Sequence, residues 1–189
     1  MSALQMTGKT DSGMVRDHNE DCFLVLPESG IAILADGMGG HLAGEVASAM
    51  AIERVKQYVL NALNGAPSVN PEGAQGATNE SAMLVEAIKD ANAAIYQASM
   101  SRPEQAGMGT TIVAAVFHDH TLTVAHVGDS RLYRYHRGTL SQITEDHSMV
   151  QELLRRGLMT PDEARTSLNR NLVTRALGID PLVEVDVRE

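Results

Sequence analysis

Several features that mark large protein classes are missing from this sequence of 189 residues. It has a single cysteine, Cys22, so an intramolecular disulfide cannot form and a secreted, disulfide-rich fold is excluded. Tryptophan is absent and aromatic residues make up 3% of the chain, so aliphatic side chains must fill the core. No apolar run is long enough for a membrane span, and residues 1–8 lack a secretion signal. We therefore expect a cytoplasmic protein.

Positive charge is also scarce. The chain has 15 lysines and arginines against 24 aspartates and glutamates, which gives a net charge of −9. An acidic surface repels both nucleic-acid phosphates and anionic lipids, so we expect neither a nucleic acid nor a membrane as partner. The excess of carboxylates is compatible with a cation site, although many acidic proteins have none. The length suits one compact domain.

The spacing of apolar residues predicts an α+β domain. Apolar side chains recur every three or four residues over 41–63 and over 84–98, which predicts two amphipathic helices. Residues 65–79 lack any period and predict a surface loop. Short strands are predicted over 4–7, 22–26, 31–35, 111–117, 122–127 and 132–135. We expect hairpin-joined strands, the later two hairpins turning at 118–120 and 128–131, with helices covering the sheet.

Acidic residues concentrate in three short segments at predicted strand ends or turns. The segments are RDHNED (16–21), DGMGGH (36–41) and GDSR (128–131). Carboxylate and carbonyl oxygens are the ligands that Mg²⁺ and Mn²⁺ prefer, and an arginine beside such ions can bind a phosphate group. Each segment alone also fits an ordinary turn or a solvated loop. Their combination is what indicates a site.

Six motifs, in this order along the chain, resemble those of the metal-dependent protein phosphatases, the type 2C family. They are RDHNED (16–21), DGMGGH (36–41) with GE (44–45) and Ser48, MGTT (108–111), VGDSR (127–131), TEDHS (144–148) and NLVTRALG (171–178). The methionine of the second motif, Met38, resembles the form of this motif in bacterial members of the family. The resemblance implies a four-layer αββα sandwich, in which two antiparallel sheets are flanked by helices. It also implies a binuclear Mn²⁺ or Mg²⁺ centre, with a possible third ion.

The resemblance also implies roles for individual metal ligands. Asp36 would bridge two ions, while the Gly37 carbonyl and Glu20 would hold one of them. Asp21 would orient water molecules on the ions, and Asp129 would contribute to a third, weaker ion position. A bridging hydroxide would then attack the phosphorus of a phosphoserine or phosphothreonine in line, without a covalent intermediate.

Two further implications concern the substrate. Arg16 would bind the phosphate group. Met38 stands where many eukaryotic relatives have a histidine, so water would have to protonate the leaving group unless His41 does so. We expect phosphorylated proteins as partners, among them a serine/threonine kinase and its targets.

The family pattern continues beyond the last motif with two further aspartate motifs, which this sequence lacks before Glu189. Asp180 and Asp186 do not match them. We therefore expect residues 1–189 to form a single domain that is incomplete at its C-terminus, with an exposed apolar sheet surface. An alternative to a phosphatase is a natively short, catalytically weak module that binds phosphoproteins.

Residues 147–170 correspond to a variable flap beside the active site of bacterial relatives. Apolar residues at 149–154 and a capping-box pattern at Thr160–Glu163 predict two short helices there. The flap has four arginines and three acidic residues, which makes it the least acidic stretch near the expected site. We hypothesise that Arg155 and Arg156 help to hold a phosphopeptide; an ordinary solvated helix face is the alternative.

Overall fold

A computed structural model of the chain describes residues 4–39, 42–65 and 78–189. In these ranges the helices are α1 (Ala43–Leu63), α2 (Asn79–Ser101), α3 (Met149–Arg155) and α4 (Pro161–Thr166). The strands are β1 (Asp21–Leu26), β2 (Ile31–Met38), β3 (Gly109–Thr110), β4 (Ile112–His118), β5 (Thr121–Val127), β6 (Tyr133–His136), β7 (Thr139–Gln142) and β8 (Asp186–Arg188). None of the helices in these ranges combines the length and the apolar character that crossing a membrane requires.

An antiparallel sheet with the strand order β1-β2-β4-β5-β8 forms the centre of the fold, and β3 pairs with the end of β2. The register of β1 and β2 places Asp21 opposite Asp36 and Leu26 opposite Ile31. Strand β2 therefore has neighbours on both sides. It delivers Asp36 to one end of the sheet, where the Asp129 turn also begins after β5.

Helices α1 and α2 pack together on one face of this sheet, as the apolar spacing predicts. Their buried faces, which include Val55 and Ile88, form one core with Ile31 and Ile33 of β2 and Ile112 of β4. Side chains alternate between the two faces of a strand, and the sheet residues that point towards α1 and α2 in this core are apolar. This core holds the sheet end on which the acidic residues lie.

The opposite face of the sheet has a smaller cover. Val113 and Val124 form a second cluster with Leu132 and Ile143, the residues that flank the β6–β7 hairpin. Phe117 on this face remains 42% exposed. Two antiparallel sheets and a helical layer are thus present, and the predicted α+β class is confirmed.

Three local predictions were wrong. Residues 4–7 form no strand; the segment has no strand partner in the part of the chain that the structure describes, and Gly8, directly after it, lies against the ring of Phe23. Strand β2 continues through Gly37 and Met38, because both pair with β3. β6 pairs with β7 and not with β5, so the turn at 128–131 connects two different sheets. The predicted loop over 65–79 lies largely outside the described residues, as do Gly40 and His41.

The segment 147–170 contains α3 and α4, as predicted. The Thr160 hydroxyl accepts a hydrogen bond from the Glu163 backbone N–H, and the Glu163 carboxylate accepts one from the Thr160 backbone N–H at 2.8 Å. This reciprocal capping box starts α4 at Pro161. The assignment of the segment as a separate flap within a single domain stays a prediction.

Candidate metal and phosphate site

A cleft of about 770 Å³ opens at the end of the sheet where β2 finishes. Five of the six residues that the acidic motifs predict for the site line this cleft. The sixth, Asp21, lies beside it, opposite Asp36 on the neighbouring strand. The lining residues are Val15, Arg16, Asp17, His18, Glu20, Asp36, Gly37, Met38, Gly39, Thr111, Asp129, Asn171 and Val173. The structure therefore brings the three acidic segments to one place.

Asp36 is the centre of the charge cluster. Its pKa is raised to about 6 from an ordinary value of 3.8, chiefly because the surrounding protein partly desolvates the carboxylate. The negative charge of Asp21 and a hydrogen bond to it raise the pKa further, as does the charge of Asp129. The positive charge of Arg16 acts in the opposite direction. Asp21, Asp129 and Arg16 are thus each close enough to Asp36 to influence its charge.

Glu20 enters the site through an unusually close approach between β2 and α1. A Cβ atom on Gly37 would lie 2.1 Å from the Gly44 carbonyl oxygen, and one on Gly44 would lie 2.8 Å from the Glu20 carboxylate. Only glycine fits at both positions. The Glu20 carboxylate consequently rests on the first turn of α1, where the positive end of the helix dipole stabilises a negative charge.

Asp129 lies in a turn whose backbone is fixed from two sides. The Gly128 N–H donates to His147 Nδ1 at 3.0 Å, and the His147 N–H donates to the Gly128 carbonyl at 2.9 Å. Gly128 has a φ of +106°, and a Cβ there would lie 2.6 Å from the side chain of Thr111. Glycine is therefore required for both reasons. Partial burial raises the pKa of Asp129.

An ion pair closes the other end of this turn. Arg131 donates from Nε to both carboxylate oxygens of Asp146 and from a terminal nitrogen to Oδ2 at 2.6 Å. The side chain of Asp146 is only 10% exposed, and its charge also raises the pKa of Asp129. A planar guanidinium held by several bonds has little freedom to rotate, so the pair limits motion of the turn.

The flap arginines lie elsewhere. Arg155 lines a separate cavity of about 80 Å³ beside Glu145 and Arg175, and the Arg156 side chain is 64% exposed and 3.7 Å from Glu152. Asn171 and Val173, which follow the flap directly, line the acidic cleft. The structure does not bring Arg155 and Arg156 to Arg16, and their role in substrate binding stays a prediction.

A histidine cluster, which the sequence did not predict, adjoins the Asp129 turn. The rings of His126 and His147 stack with centroids 4.7 Å apart, and Asp186 lies 3.5 Å from His147 Nε2. Because His147 Nδ1 accepts a hydrogen bond, the neutral ring carries its hydrogen on Nε2 and has no lone pair there for a metal. Arg175 also binds Asp186 at 2.7 Å. The cluster is therefore a structural network that holds β8.

The residues that converge in the cleft fit a divalent cation such as Mn²⁺ or Mg²⁺. The donor set of Glu20, Asp21, Asp36, Asp129 and the Gly37 carbonyl consists of oxygen atoms alone, as hard cations require. Carboxylates crowded closely enough to raise the pKa of Asp36 are stabilised when a cation neutralises them. Arg16 at the rim adds a donor for an anionic ligand.

Comparisons with known proteins agree with this geometry. A family profile described as "Protein phosphatase 2C" matches residues 14–172. The chain is 39% identical over 183 residues to the serine/threonine phosphatase stp of Listeria welshimeri; the match covers 94% of this chain and 68% of that protein.

Solved structures give the same result. The serine/threonine phosphatase Stp1 from Staphylococcus aureus superposes with a TM-score of 0.79 at 35% identity, covering 95% of this chain and 68% of that one. The catalytic domain of the phosphatase PstP, crystallised in complex with two manganese ions, gives a TM-score of 0.74 at 35% identity, with 95% and 70% covered. By sequence and by fold, this chain belongs to the protein phosphatase 2C family.

Proposed function

We propose that the chain is a metal-dependent protein serine/threonine phosphatase that hydrolyses phosphoserine and phosphothreonine. The observation that carries the proposal is the convergence of Glu20, Asp36 and Asp129 with Arg16 in one cleft, with Asp21 directly beside Asp36. Membership of the family supports the same reaction. Phosphorylated proteins, among them a serine/threonine kinase and its targets, are the proposed substrates.

In this proposal the five oxygen donors hold Mn²⁺ or Mg²⁺. Bound divalent cations would lower the pKa of coordinated water and neutralise charge on the phosphoryl group. Asp36 lies close enough to both Asp21 and Asp129 for their charges to raise its pKa, so its carboxylate would be the central ligand of this donor set. The backbone of Gly37 and the side chain of Glu20 approach from the α1 side.

Arg16 would orient the phosphate group through its planar fork of N–H donors. Hydrolysis joins a water oxygen to phosphorus and breaks the bond between phosphorus and the serine or threonine oxygen, which then takes up a proton. Met38 lines the cleft but has no proton to give. Water is therefore the proposed source of that proton.

The direct test is Mn²⁺-dependent hydrolysis of p-nitrophenyl phosphate and of a phosphoserine peptide by the purified chain. We expect EDTA and the substitution Asp36→Asn each to abolish the activity. The control is Asp119→Asn, which removes the same charge on the remote β4–β5 turn and should leave the activity unchanged. Binding of the phosphopeptide without any hydrolysis would favour the alternative, a phosphoprotein-binding module. No hydrolysis and no Mn²⁺ binding would sink the proposal.

A further inference from the structure

We propose that Thr111 is a positioning residue, which fixes the distance between the two carboxylates that approach the cleft from different strands, Asp36 and Asp129. This inference rests on the proposed function for its role in catalysis. Thr111 belongs to the MGTT motif (108–111), to which neither the sequence nor the site geometry so far has given a task. Its side chain touches both acidic segments at once.

Toward β2, Thr111 is bonded to the backbone of Asp36 itself. The Asp36 N–H donates to Thr111 Oγ1 at 3.1 Å, and the Thr111 N–H donates to the Asp36 carbonyl at 2.9 Å. Because these two bonds flank the Cα atom of Asp36, they fix the direction in which its side chain leaves the strand.

Toward the Asp129 turn, Thr111 makes two different contacts. Its Oγ1 lies 2.7 Å from Ser130 Oγ. Its Cβ and Cγ2 occupy the space that the missing side chain of Gly128 leaves open. The residues on both sides of Asp129 therefore rest on one side chain, which is only 3% exposed.

The Thr111 hydroxyl can serve both segments because it is an acceptor and a donor. It accepts from the Asp36 N–H, which leaves its own hydrogen available for Ser130 Oγ. Valine has almost the same shape but offers neither function, whereas serine retains both and loses only the methyl group. The three side chains thus separate the hydrogen-bonding role from the packing role.

The test compares Mn²⁺ binding by isothermal titration calorimetry in wild type, Thr111→Val, Thr111→Ser and Thr123→Val. Thr123 is a matched control: it is fully buried in β5 and its hydroxyl bonds to His118 Nε2 at 2.9 Å, away from the cleft. Residues that orient metal ligands typically contribute about 10- to 100-fold to metal affinity. We therefore expect Thr111→Val to weaken Mn²⁺ binding about tenfold, and Thr111→Ser and Thr123→Val to bind as wild type does.

Activity provides a second readout. In Thr111→Val, the Mn²⁺ concentration for half-maximal hydrolysis of p-nitrophenyl phosphate should rise in parallel with the dissociation constant, and excess Mn²⁺ should restore much of the rate. Thermal unfolding in EDTA should be similar for Thr111→Val and Thr123→Val, because each loses one buried hydroxyl. If Thr111→Val binds Mn²⁺ as tightly as Thr123→Val, the inference is wrong.

Ser130→Ala covers the case in which Thr111→Val does not fold, because Ser130 is only half-buried. Weaker Mn²⁺ binding in Ser130→Ala supports the inference, and unchanged binding overturns it. Should the wild type bind Mn²⁺ in a Thr111-dependent way but hydrolyse no phosphoester, the proposed function fails and the positioning role stands. If the wild type hydrolyses phosphoesters but its Mn²⁺ affinity does not depend on Thr111, the proposed function stands and the positioning role fails.

Discussion

Asp21 and Asp36 lie directly opposite each other on the antiparallel strands β1 and β2, and the negative charge of Asp21 contributes to the raised pKa of Asp36. Two like charges at opposed positions of a sheet destabilise the pair. Above a pH of about 6, where Asp36 has lost its proton, this pair therefore opposes folding in the absence of a cation, and a divalent cation would remove the repulsion.

The raised pKa of Asp36 predicts how stability depends on pH without metal. Because that pKa is about 6 and the ordinary value is 3.8, the folded state retains a proton that the unfolded chain releases between these pH values. In EDTA, the free energy of unfolding should therefore decrease as pH rises from about 4 to about 6. Asp36→Asn should lose this decrease, as measured by thermal denaturation; Asp119→Asn should retain it. A wild-type slope that equals that of Asp36→Asn would contradict the assignment.

Gly44→Ala should damage the site through Glu20. The added Cβ would lie 2.8 Å from the Glu20 carboxylate and 2.9 Å from the Gly37 carbonyl carbon, so both must move. Overpacking of this kind typically costs about 1–3 kcal/mol. We expect a lower melting temperature and weaker Mn²⁺ binding by calorimetry. Combining it with Glu20→Ala should recover part of the stability but not the metal affinity; an unaltered affinity in Gly44→Ala would exclude Glu20 as a ligand.

His147 should stabilise the Asp129 turn through its acceptor nitrogen. His147→Ala leaves the buried Gly128 N–H without its partner, which costs about 1–3 kcal/mol. His147→Asn, whose side-chain oxygen can accept the same bond, should lose less. Urea denaturation of both variants measures the difference, and equal losses would argue against the bond.

Burial lowers the pKa of His147 below its ordinary 6.5. The unfolded chain then binds a proton more readily than the folded one, so this group makes stability increase with pH up to about 6.5. The direction is opposite to that for Asp36. His147→Asn should therefore remove part of the increase in the free energy of unfolding as pH rises to about 6.5. Asp36→Asn should instead remove a decrease.

Replacing Arg155 and Arg156 by alanine tests the predicted phosphopeptide contact of the flap. If the contact forms, KM should rise for a phosphopeptide and stay constant for p-nitrophenyl phosphate, because only the peptide extends beyond the cleft. Arg134→Ala, on the exposed strand β6, removes a comparable charge and serves as control. Equal changes for both substrates would refute the contact. Because Arg155 lines a cavity separate from the acidic cleft, this prediction is a stringent one.

The sequence predicts the parts of this protein that depend on local patterns. The apolar period gives α1 and α2, and the run at 31–35 followed by Asp36 gives β2 and its carboxylate. The pairing of β6 with β7, and of β8 with β5, depends on contacts between distant residues, which no local period encodes. The same reason explains the mistaken hairpin at 128–131.

The site shows the same division. Aspartates in glycine-rich turns were recognisable candidates, and the structure places Asp36 and Asp129 in one cleft with Arg16. Thr111 was visible only as part of a motif, because a threonine carries no charge and its two hydrogen bonds arise from the packing of β2 against the turn. Arg155 was a candidate because of its charge alone, which does not encode the direction in which α3 presents it, and its role in substrate binding stays a prediction.

The three acidic segments of the cleft lie between residues 16 and 131, and strands β1, β2 and β5 must all be aligned before the three segments meet. A manganese ion therefore meets its complete set of ligands only late in folding, after Asp129 has joined the β1–β2 hairpin through contacts between distant residues. Its stabilising effect should appear almost entirely as a slower unfolding rate, with the refolding rate unchanged. Loading with metal would thus lengthen the lifetime of the finished protein without helping the chain to reach it.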